Sequence, residues 1–265
     1  MIHWSVDPNI FTLGTFSIRW YGLLFASAFL VGFHISKRIF SRDGLGEEYV
    51  NQLILYVGFG TIIGARLGHC LFYEPELYLA HPLRILKIWE GGLASHGAAI
   101  GILISLFLLT KKRKELGFME LADRVTIPIA LSGFFIRTGN LFNSEIVGKP
   151  TSVPWAFIFS RVVQLPRHPT QIYEALTYLI IAAFLFMMFQ RFNATAKRGF
   201  LFGLFMTLVF GARFFLEFLK ENQVTFEKGM ALNLGQLLSV PAILLGLFLI
   251  AYSHLRPHQT SQRHN

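Results

Sequence analysis

The sequence has one cysteine and few charged residues. Of its 265 residues only 15% are charged and Cys70 is the single cysteine, whereas soluble proteins are about 25% charged. One cysteine excludes an intrachain disulfide, and the chain lacks the paired-Cys and His-Glu-x-x-His spacings of metal sites. It also lacks a Gly-Lys-Ser/Thr phosphate loop and a Gly-x-Ser-x-Gly nucleophile motif. We therefore expect no metal ion and no cofactor, and we disfavour ATP hydrolysis and serine-hydrolase chemistry.

Apolar residues dominate the remainder of the chain. They make up 53% of the sequence, which includes 28 phenylalanines, and the mean hydropathy is +0.50. A bilayer core needs about 20 mostly apolar residues per helix. We predict an all-α integral membrane protein with seven transmembrane helices, forming a single polytopic membrane domain over residues 1–265. The predicted spans are Tyr21–Ile35, Leu53–Tyr73, Leu93–Leu109, Val125–Ile136, Ala175–Phe189, Phe200–Phe215 and Leu232–Tyr252.

The basic residues predict the orientation of these spans. The chain has 24 Lys and Arg against 15 Asp and Glu, a balance that in a membrane protein reflects cytoplasmic loops rather than nucleic-acid binding. Basic residues cluster after the first, third and fifth spans, for example at Lys111, Lys112 and Arg113. We therefore expect an external N-terminus, a cytoplasmic C-terminus and no nucleic-acid partner. The loops Glu74–Gly92, Arg137–Ile172 and Lys220–Ala231 are then expected on the outer face.

The two ends of the chain lead to two further expectations. No Lys or Arg precedes Arg19, so we expect no removable signal peptide. From about His254 the sequence is polar, and we expect that tail to be disordered.

Several ionisable residues lie inside or beside the apolar stretches. Arg66 falls in the second span, Arg213 and Glu217 are four residues apart in the sixth, and Arg137 directly follows the fourth. Such residues cost about 2.5–3.5 kcal/mol at a helix centre on insertion scales, which makes them candidates for function. An internal ion pair that only locks the helix bundle is the structural alternative for Arg213 and Glu217.

Three external segments add polar side chains. They are Glu90 to Gly101, which contains His96, then Arg137 to Gly148, and Arg167 to Glu174. Paired guanidinium groups recognise phosphate in a bidentate manner. If these residues meet, they form an outer-leaflet site for a phosphate-bearing amphiphile.

The motifs in these segments resemble those of bacterial prolipoprotein diacylglyceryl transferases. The resemblance extends from Arg19 to Gln236. One departure is Phe210, where the family usually has a tyrosine about one turn before the arginine of the sixth span. The matching motifs are Gly64-Ala-Arg66-Leu-Gly68, Gly91-Gly-Leu-Ala-Ser-His96-Gly97, Arg137-x-x-Asn140-x-x-x-x-Glu145-x-x-Gly148, Arg167-His-Pro-Thr-Gln-Ile-Tyr-Glu174 and Arg213-x-x-x-Glu217.

The resemblance implies a reaction and its partners. Members transfer the diacylglyceryl group of phosphatidylglycerol to the lipobox cysteine of a prolipoprotein signal peptide, and they release glycerol 1-phosphate. This implies an enzyme of the bacterial cytoplasmic (inner) membrane with its active site toward the outer leaflet. Carried over by position, the catalytic residues are His96, Arg137, Arg213 and Tyr21, and the phosphatidylglycerol-binding residues are Arg137, Asn140, Glu145, Gly148, Arg66 and Glu217.

Two other function classes remain open at this stage. A transporter or channel for an organic anion would line its path with Arg66, Arg137 and Arg213, although the absence of inverted repeats weakly opposes it. A lipid-binding subunit without turnover is the third hypothesis. A transferase differs from both because it makes a lipidated peptide in detergent, without a sealed compartment.

Overall fold

Long helices make up most of the chain in the computed structural model, which describes residues 1–14, 16–191, 197–221 and 230–255. Six of the helices are long and apolar enough to cross a membrane, which makes this a mostly helical, multi-pass membrane protein. The helix that corresponds to the third predicted span has 18 residues and is not among those six. The long helices are α1 (Trp20–Arg42), α2 (Glu47–Phe72), α4 (Ser95–Lys112), α5 (Phe118–Phe142), α6 (Thr170–Arg191), α7 (Phe200–Leu216) and α8 (Leu234–Leu255).

Short elements complete the described chain. The brief helix α3 (Pro75–Ala80) and two 3₁₀ turns (Pro82–Leu86 and Ile88–Glu90) follow α2, and a third 3₁₀ turn (Glu217–Leu219) follows α7. Four strands, β1 (Ile2–Trp4), β2 (Asn9–Leu13), β3 (Phe16–Arg19) and β4 (Phe157–Phe159), were not expected from the sequence. Strand β1 pairs in parallel with β4, and β2 pairs with β3 as an antiparallel hairpin.

The helix α5 corrects one boundary from the sequence. We expected the fourth span to end at Ile136, with Arg137 opening an external loop, but α5 is helical to Phe142. Arg137 and Asn140 therefore lie in its last turns. The helix tolerates them because their polar groups have partners inside the protein, which hydropathy along the chain does not record.

The chain divides into two compact units. The first contains Met1–Gly32 and Asp123–Asn265, and the second is Phe33–Ala122. In the first unit, α7 and α8 approach closely where Gly203 faces Gly246, since a Cβ added to Gly203 would lie 2.8 Å from the Gly246 carbonyl oxygen. Asp123 in α5 accepts hydrogen bonds from the backbone N–H groups of Gly199 (2.7 Å) and Phe202 (2.8 Å), and so caps the start of α7.

Glycines and one serine bring α2 and α4 together in the second unit. A Cβ added to Gly64 would lie 2.3 Å from the Gly97 carbonyl oxygen, and one added to Gly60 would lie 2.0 Å from Ser105 Oγ. Helices in lipid pack through such small residues because lipid supplies no hydrophobic drive between them. The face formed by Gly60, Gly64 and Gly68 is thus the α2–α4 contact surface.

Two expectations about loops and ends fall partly outside the described residues. Helix α8 includes His254 and ends at Leu255, so helix continues where we expected the polar tail to begin. Residues 256–265 of that tail lie outside the described residues, as do residues 222–229 of the predicted external loop Lys220–Ala231.

Candidate active site

Arg137 lies in the last turns of α5 and faces a buried carboxylate on α6. Its Nε atom is 3.1 Å from Oε2 of Glu174, whose side chain is 0% exposed. Its Nη1 atom donates a hydrogen bond to Oδ1 of Asn140 at 3.2 Å. One ion pair and one hydrogen bond therefore hold the guanidinium group.

A second cluster joins the end of α7 to α8. Arg213 Nε is 3.6 Å from Glu217 Oε1, as expected for residues four apart on one helix face. The other carboxylate oxygen of Glu217 accepts a hydrogen bond from Asn233 Nδ2 at 3.2 Å. Gly235 packs directly against Glu217, because a Cβ there would lie 2.6 Å from Oε1. Three neighbouring residues, Arg213, Asn233 and Gly235, thus hold Glu217.

Lys220 connects these two clusters. Its Nζ atom lies 2.8 Å from Glu174 Oε1 and 3.0 Å from Glu217 Oε1. The five side chains Arg137, Glu174, Lys220, Glu217 and Arg213 alternate in charge from one arginine to the other. We call them the ion-pair chain.

Asn140 and Glu145 form a polar corner beside Arg137. Asn140 Nδ2 donates to Glu145 Oε1 at 2.6 Å, and Asn143 Nδ2 donates to the same oxygen at 3.3 Å. Tyr21 packs its ring on Gly139, where an added Cβ would lie 2.7 Å from the ring. Tyr21 therefore lies against the part of α5 that carries Arg137 and Asn140, and Glu145 binds Asn140.

The backbone beside Glu145 has an uncommon conformation. Ser144 has a φ of 54° and Ile146 a φ of 57°. The left-handed region is unfavourable for a β-branched residue such as Ile146, so the surrounding contacts must impose it.

Those contacts come from the segment Arg167–Glu174. Thr170 Oγ1 donates to the Ile146 carbonyl oxygen at 3.1 Å, and Gln171 Nε2 donates to the Glu145 carbonyl oxygen at 2.7 Å. Arg167 Nη1 donates to the Gly148 carbonyl oxygen at 3.0 Å. This segment was predicted from the sequence as external polar residues, and in the structure it holds the strained turn in place.

Gly148 has a steric role at the same turn. A Cβ there would lie 2.4 Å from the His168 carbonyl oxygen and 2.9 Å from Thr170 Cγ2. Its N–H donates to that His168 oxygen at 3.1 Å. The structure thus accounts for Gly148 by close backbone packing.

Arg66 belongs to the second unit and uses its donors on backbone carbonyls. Its Nε donates to Ile85 at 2.9 Å, and Nη2 donates to Arg84 at 2.6 Å. Nη1 donates to Gly91 and, at 3.4 Å, to Gly92. The residue is only 2% exposed, and its guanidinium lies 5.0 Å from the centre of the Tyr78 ring. Its observed contacts anchor the segment between α2 and α4.

His96 is the second residue of α4, in the second unit. Its side chain is exposed. The next residue, Gly97, lies against α2, because a Cβ there would be 2.2 Å from the Gly64 carbonyl oxygen. The tight contact at Gly97 fixes the position from which the imidazole projects.

Two residues in this arrangement were missed as site residues in the sequence. Glu174 was noted only as the end of a polar segment, and Lys220 only as the start of a loop. Both are almost completely buried, at 0% and 2% exposure. The sequence offered one signal, because Lys220 follows Glu217 by three residues, a spacing that lets two side chains meet on a helical turn.

The ion-pair chain has more cations than carboxylates. It contains three cations and two carboxylates, so its own five side chains carry one net positive charge. Within the described ranges, no group of three or more His, Cys, Asp or Glu side chains could hold a metal. Guanidinium groups fixed by carboxylates are well suited to bind phosphate oxygens.

Comparison with known proteins identifies the family. The family described as prolipoprotein diacylglyceryl transferase matches residues 8–252. A phosphatidylglycerol–prolipoprotein diacylglyceryl transferase of Tolumonas auensis is 49% identical and covers 96% of this chain and 98% of its own length. The corresponding proteins of Chloroherpeton thalassium (47% identical, covering 95% of this chain and 94% of its own) and Bacteroides fragilis (42% identical, 95% of each) are similarly related. The chain therefore belongs to the prolipoprotein diacylglyceryl transferase family.

Proposed function

We propose that this protein transfers the diacylglyceryl group of phosphatidylglycerol to the lipobox cysteine of a prolipoprotein. The proposal is supported by the names of its relatives, which give both substrates, and by family membership. The structural observation that carries it is the ion-pair chain, which holds two arginines in one unit with a net positive charge.

The reaction makes clear demands on the protein. The cysteine sulfur forms a bond to the phosphate-bearing carbon of the diacylglyceryl group. The bond between that carbon and the phosphate oxygen breaks. The thiol loses its proton, and glycerol 1-phosphate leaves. Because the phosphate changes from a diester to a monoester, negative charge grows on it in the transition state. Fixed cationic donors at that position accelerate such a step.

The roles of the residues follow from these demands. Arg137 and Arg213 hold the departing phosphate, and Glu174 and Glu217 orient them. Tyr21, Asn140 and Glu145 shape the site beside Arg137, and Gly148 lets the supporting turn pack closely. His96 is the candidate for the thiol proton. Arg66 contributes by anchoring the segment between α2 and α4, since its donors contact carbonyl oxygens there.

The test is an assay with purified protein, phosphatidylglycerol and a lipobox peptide in detergent. We expect a lipidated peptide and an equal amount of glycerol 1-phosphate. Replacing the lipobox cysteine by serine is the control and should abolish both products. An organic-anion transporter or a non-catalytic lipid-binding subunit would give neither product with either peptide, and that result would refute the proposed function.

We further propose that α4 is a seventh membrane span. Seven spans give an external N-terminus, a cytoplasmic C-terminus and a site toward the outer leaflet of the bacterial cytoplasmic membrane. Lys111 and Lys112 in the last turn of α4, followed by Arg113, support a cytoplasmic end. A reporter fused at Arg113 should therefore report the cytoplasm, and one fused at Val153 the exterior. Reversed signals would contradict this orientation.

A further inference from the structure

Lys220 is a buried cation with no role so far in the proposed chemistry. Its side chain is 2% exposed, and its ammonium lies between Glu174, at 2.8 Å, and Glu217, at 3.0 Å. Removing a charged amine from water is costly unless partners compensate for it. A lysine buried between two carboxylates is therefore a candidate for a specific role in the site.

The backbone of Lys220 is also held by hydrogen bonds. Its N–H donates to the Glu217 carbonyl oxygen at 3.2 Å, and it forms an isolated antiparallel bridge with Gly148. On either side, Lys149 N–H donates to Leu219 at 2.8 Å and Glu221 N–H donates to Val147 at 3.3 Å. Lys220 is thus tied to the same turn that carries Glu145 and Gly148.

The two carboxylates that Lys220 contacts are the ones that hold the arginines. Glu174 uses one oxygen for Lys220 and the other for Arg137 Nε. Glu217 Oε1 lies near both Lys220 Nζ and Arg213 Nε. A change at Lys220 is therefore transmitted to both guanidinium groups through single carboxylates.

We propose that Lys220 is a positioning residue that sets the separation of Arg137 and Arg213 and keeps the ion-pair chain net positive. The inference rests on the proposed function, in which these arginines bind the phosphate. Without the ammonium, two arginines would face two carboxylates with no surplus charge. Each carboxylate would then draw its arginine closer, and the phosphate of phosphatidylglycerol would meet weaker donors.

The main test replaces Lys220 with methionine, which is unbranched and one atom shorter and removes the charge. We expect kcat/KM for phosphatidylglycerol to fall at least about tenfold, with a higher KM for the lipid as well as a lower kcat. A purely structural role would reduce the amount of active enzyme, which lowers the apparent kcat and leaves KM unchanged. An unchanged KM would therefore overturn the proposal.

Two further variants serve as controls. Lys149→Met removes an exposed lysine from the neighbouring turn, and it should keep kcat and KM within about twofold, as is usual for surface substitutions. Lys220→Arg keeps the charge and should retain several-fold more activity than Lys220→Met. If the arginine variant is as impaired as the methionine variant while both unfold at the same temperature, the charge is not what matters and the proposal fails.

A double-mutant cycle tests whether Lys220 acts through Glu174. In a Glu174→Gln background the ammonium no longer holds a carboxylate that binds Arg137, so Lys220→Met should cost less there than in the unmodified protein. Equal costs in both backgrounds would mean that Lys220 acts independently, which would overturn the proposal. A failure of the proposed function is distinguishable, because the unmodified protein itself would then form no lipidated peptide.

Discussion

Replacing Arg137 or Arg213 with lysine is expected to lower turnover at least about tenfold, which corresponds to about 1.4 kcal/mol of transition-state stabilisation. Lysine keeps the charge and loses the planar fork. Arg137 uses this fork for two partners at once, Glu174 at 3.1 Å and Asn140 at 3.2 Å. An ammonium is a point charge that cannot reproduce both contacts and still present a second donor to phosphate.

The measurement is kcat/KM for phosphatidylglycerol with a fixed concentration of lipobox peptide. Arg161→Lys is the matched control, because Arg161 lies in the same unit, is 44% exposed and pairs with Asp7 at 3.5 Å. That variant should be as active as the unmodified protein. Near-normal turnover in both the Arg137→Lys and the Arg213→Lys variant would show that these arginines only stabilise the helix bundle.

The same comparison separates catalysis from folding. Glu174 is completely buried and would be left without one of its two cationic partners if Arg137 were removed altogether. Breaking a buried pair by removing one partner is strongly destabilising. The lysine variants avoid that problem, since they keep a cation near each carboxylate, and thermal unfolding in detergent should show only small shifts.

Hydropathy predicted the helices well and their polar ends poorly. Each of the seven predicted spans overlaps a long helix, yet α5 continues past Ile136 to Phe142. The extension contains Arg137 and Asn140, whose cost in lipid is offset by Glu174 and Glu145. Those partners are distant or non-helical in the sequence, so a local average of hydropathy cannot anticipate them.

The short strands escaped prediction for a different reason. Strand β1 has three residues and pairs with β4, more than 150 positions away in the chain. Alternation over three residues carries almost no signal. The pairing is supported instead by packing, because Trp4 contacts the small core around Leu141 and Phe159 and donates to the Leu141 carbonyl oxygen at 3.1 Å.

The sequence motifs contain both arginines of the ion-pair chain, but they do not show which side chains hold each arginine. Arg137 and Arg213 were predicted as a phosphate pair, and the structure shows how each is held. Arg66 is also an arginine within an apolar stretch of the sequence, but in the structure its guanidinium donates to backbone carbonyl oxygens. Because both kinds of partner accept hydrogen bonds from a guanidinium, the sequence does not show which partners each arginine uses.

The second large effect is expected at His96. His96→Asn keeps some hydrogen-bonding capacity and removes the base, and we expect turnover at pH 7 to fall by about 100-fold, since general-base catalysis contributes about 10²- to 10⁴-fold. An ordinary cysteine thiol has a pKa of about 8.5, so only a few per cent is thiolate at neutral pH and a base is needed. An ordinary imidazole, with a pKa near 6.5, is neutral and able to accept that proton at pH 7.

The pH dependence distinguishes this role from its alternative, in which Arg137 and Arg213 lower the pKa of the incoming thiol and His96 only positions substrate. Near pH 9 the peptide thiol ionises without help, so the His96→Asn enzyme should recover most of its activity if His96 is the base. His3→Asn, at an exposed histidine of β1, is the control and should follow the unmodified protein at both pH values. A deficit of equal size at pH 7 and pH 9 would exclude the base role, because a positioning defect does not depend on whether the thiol is already ionised.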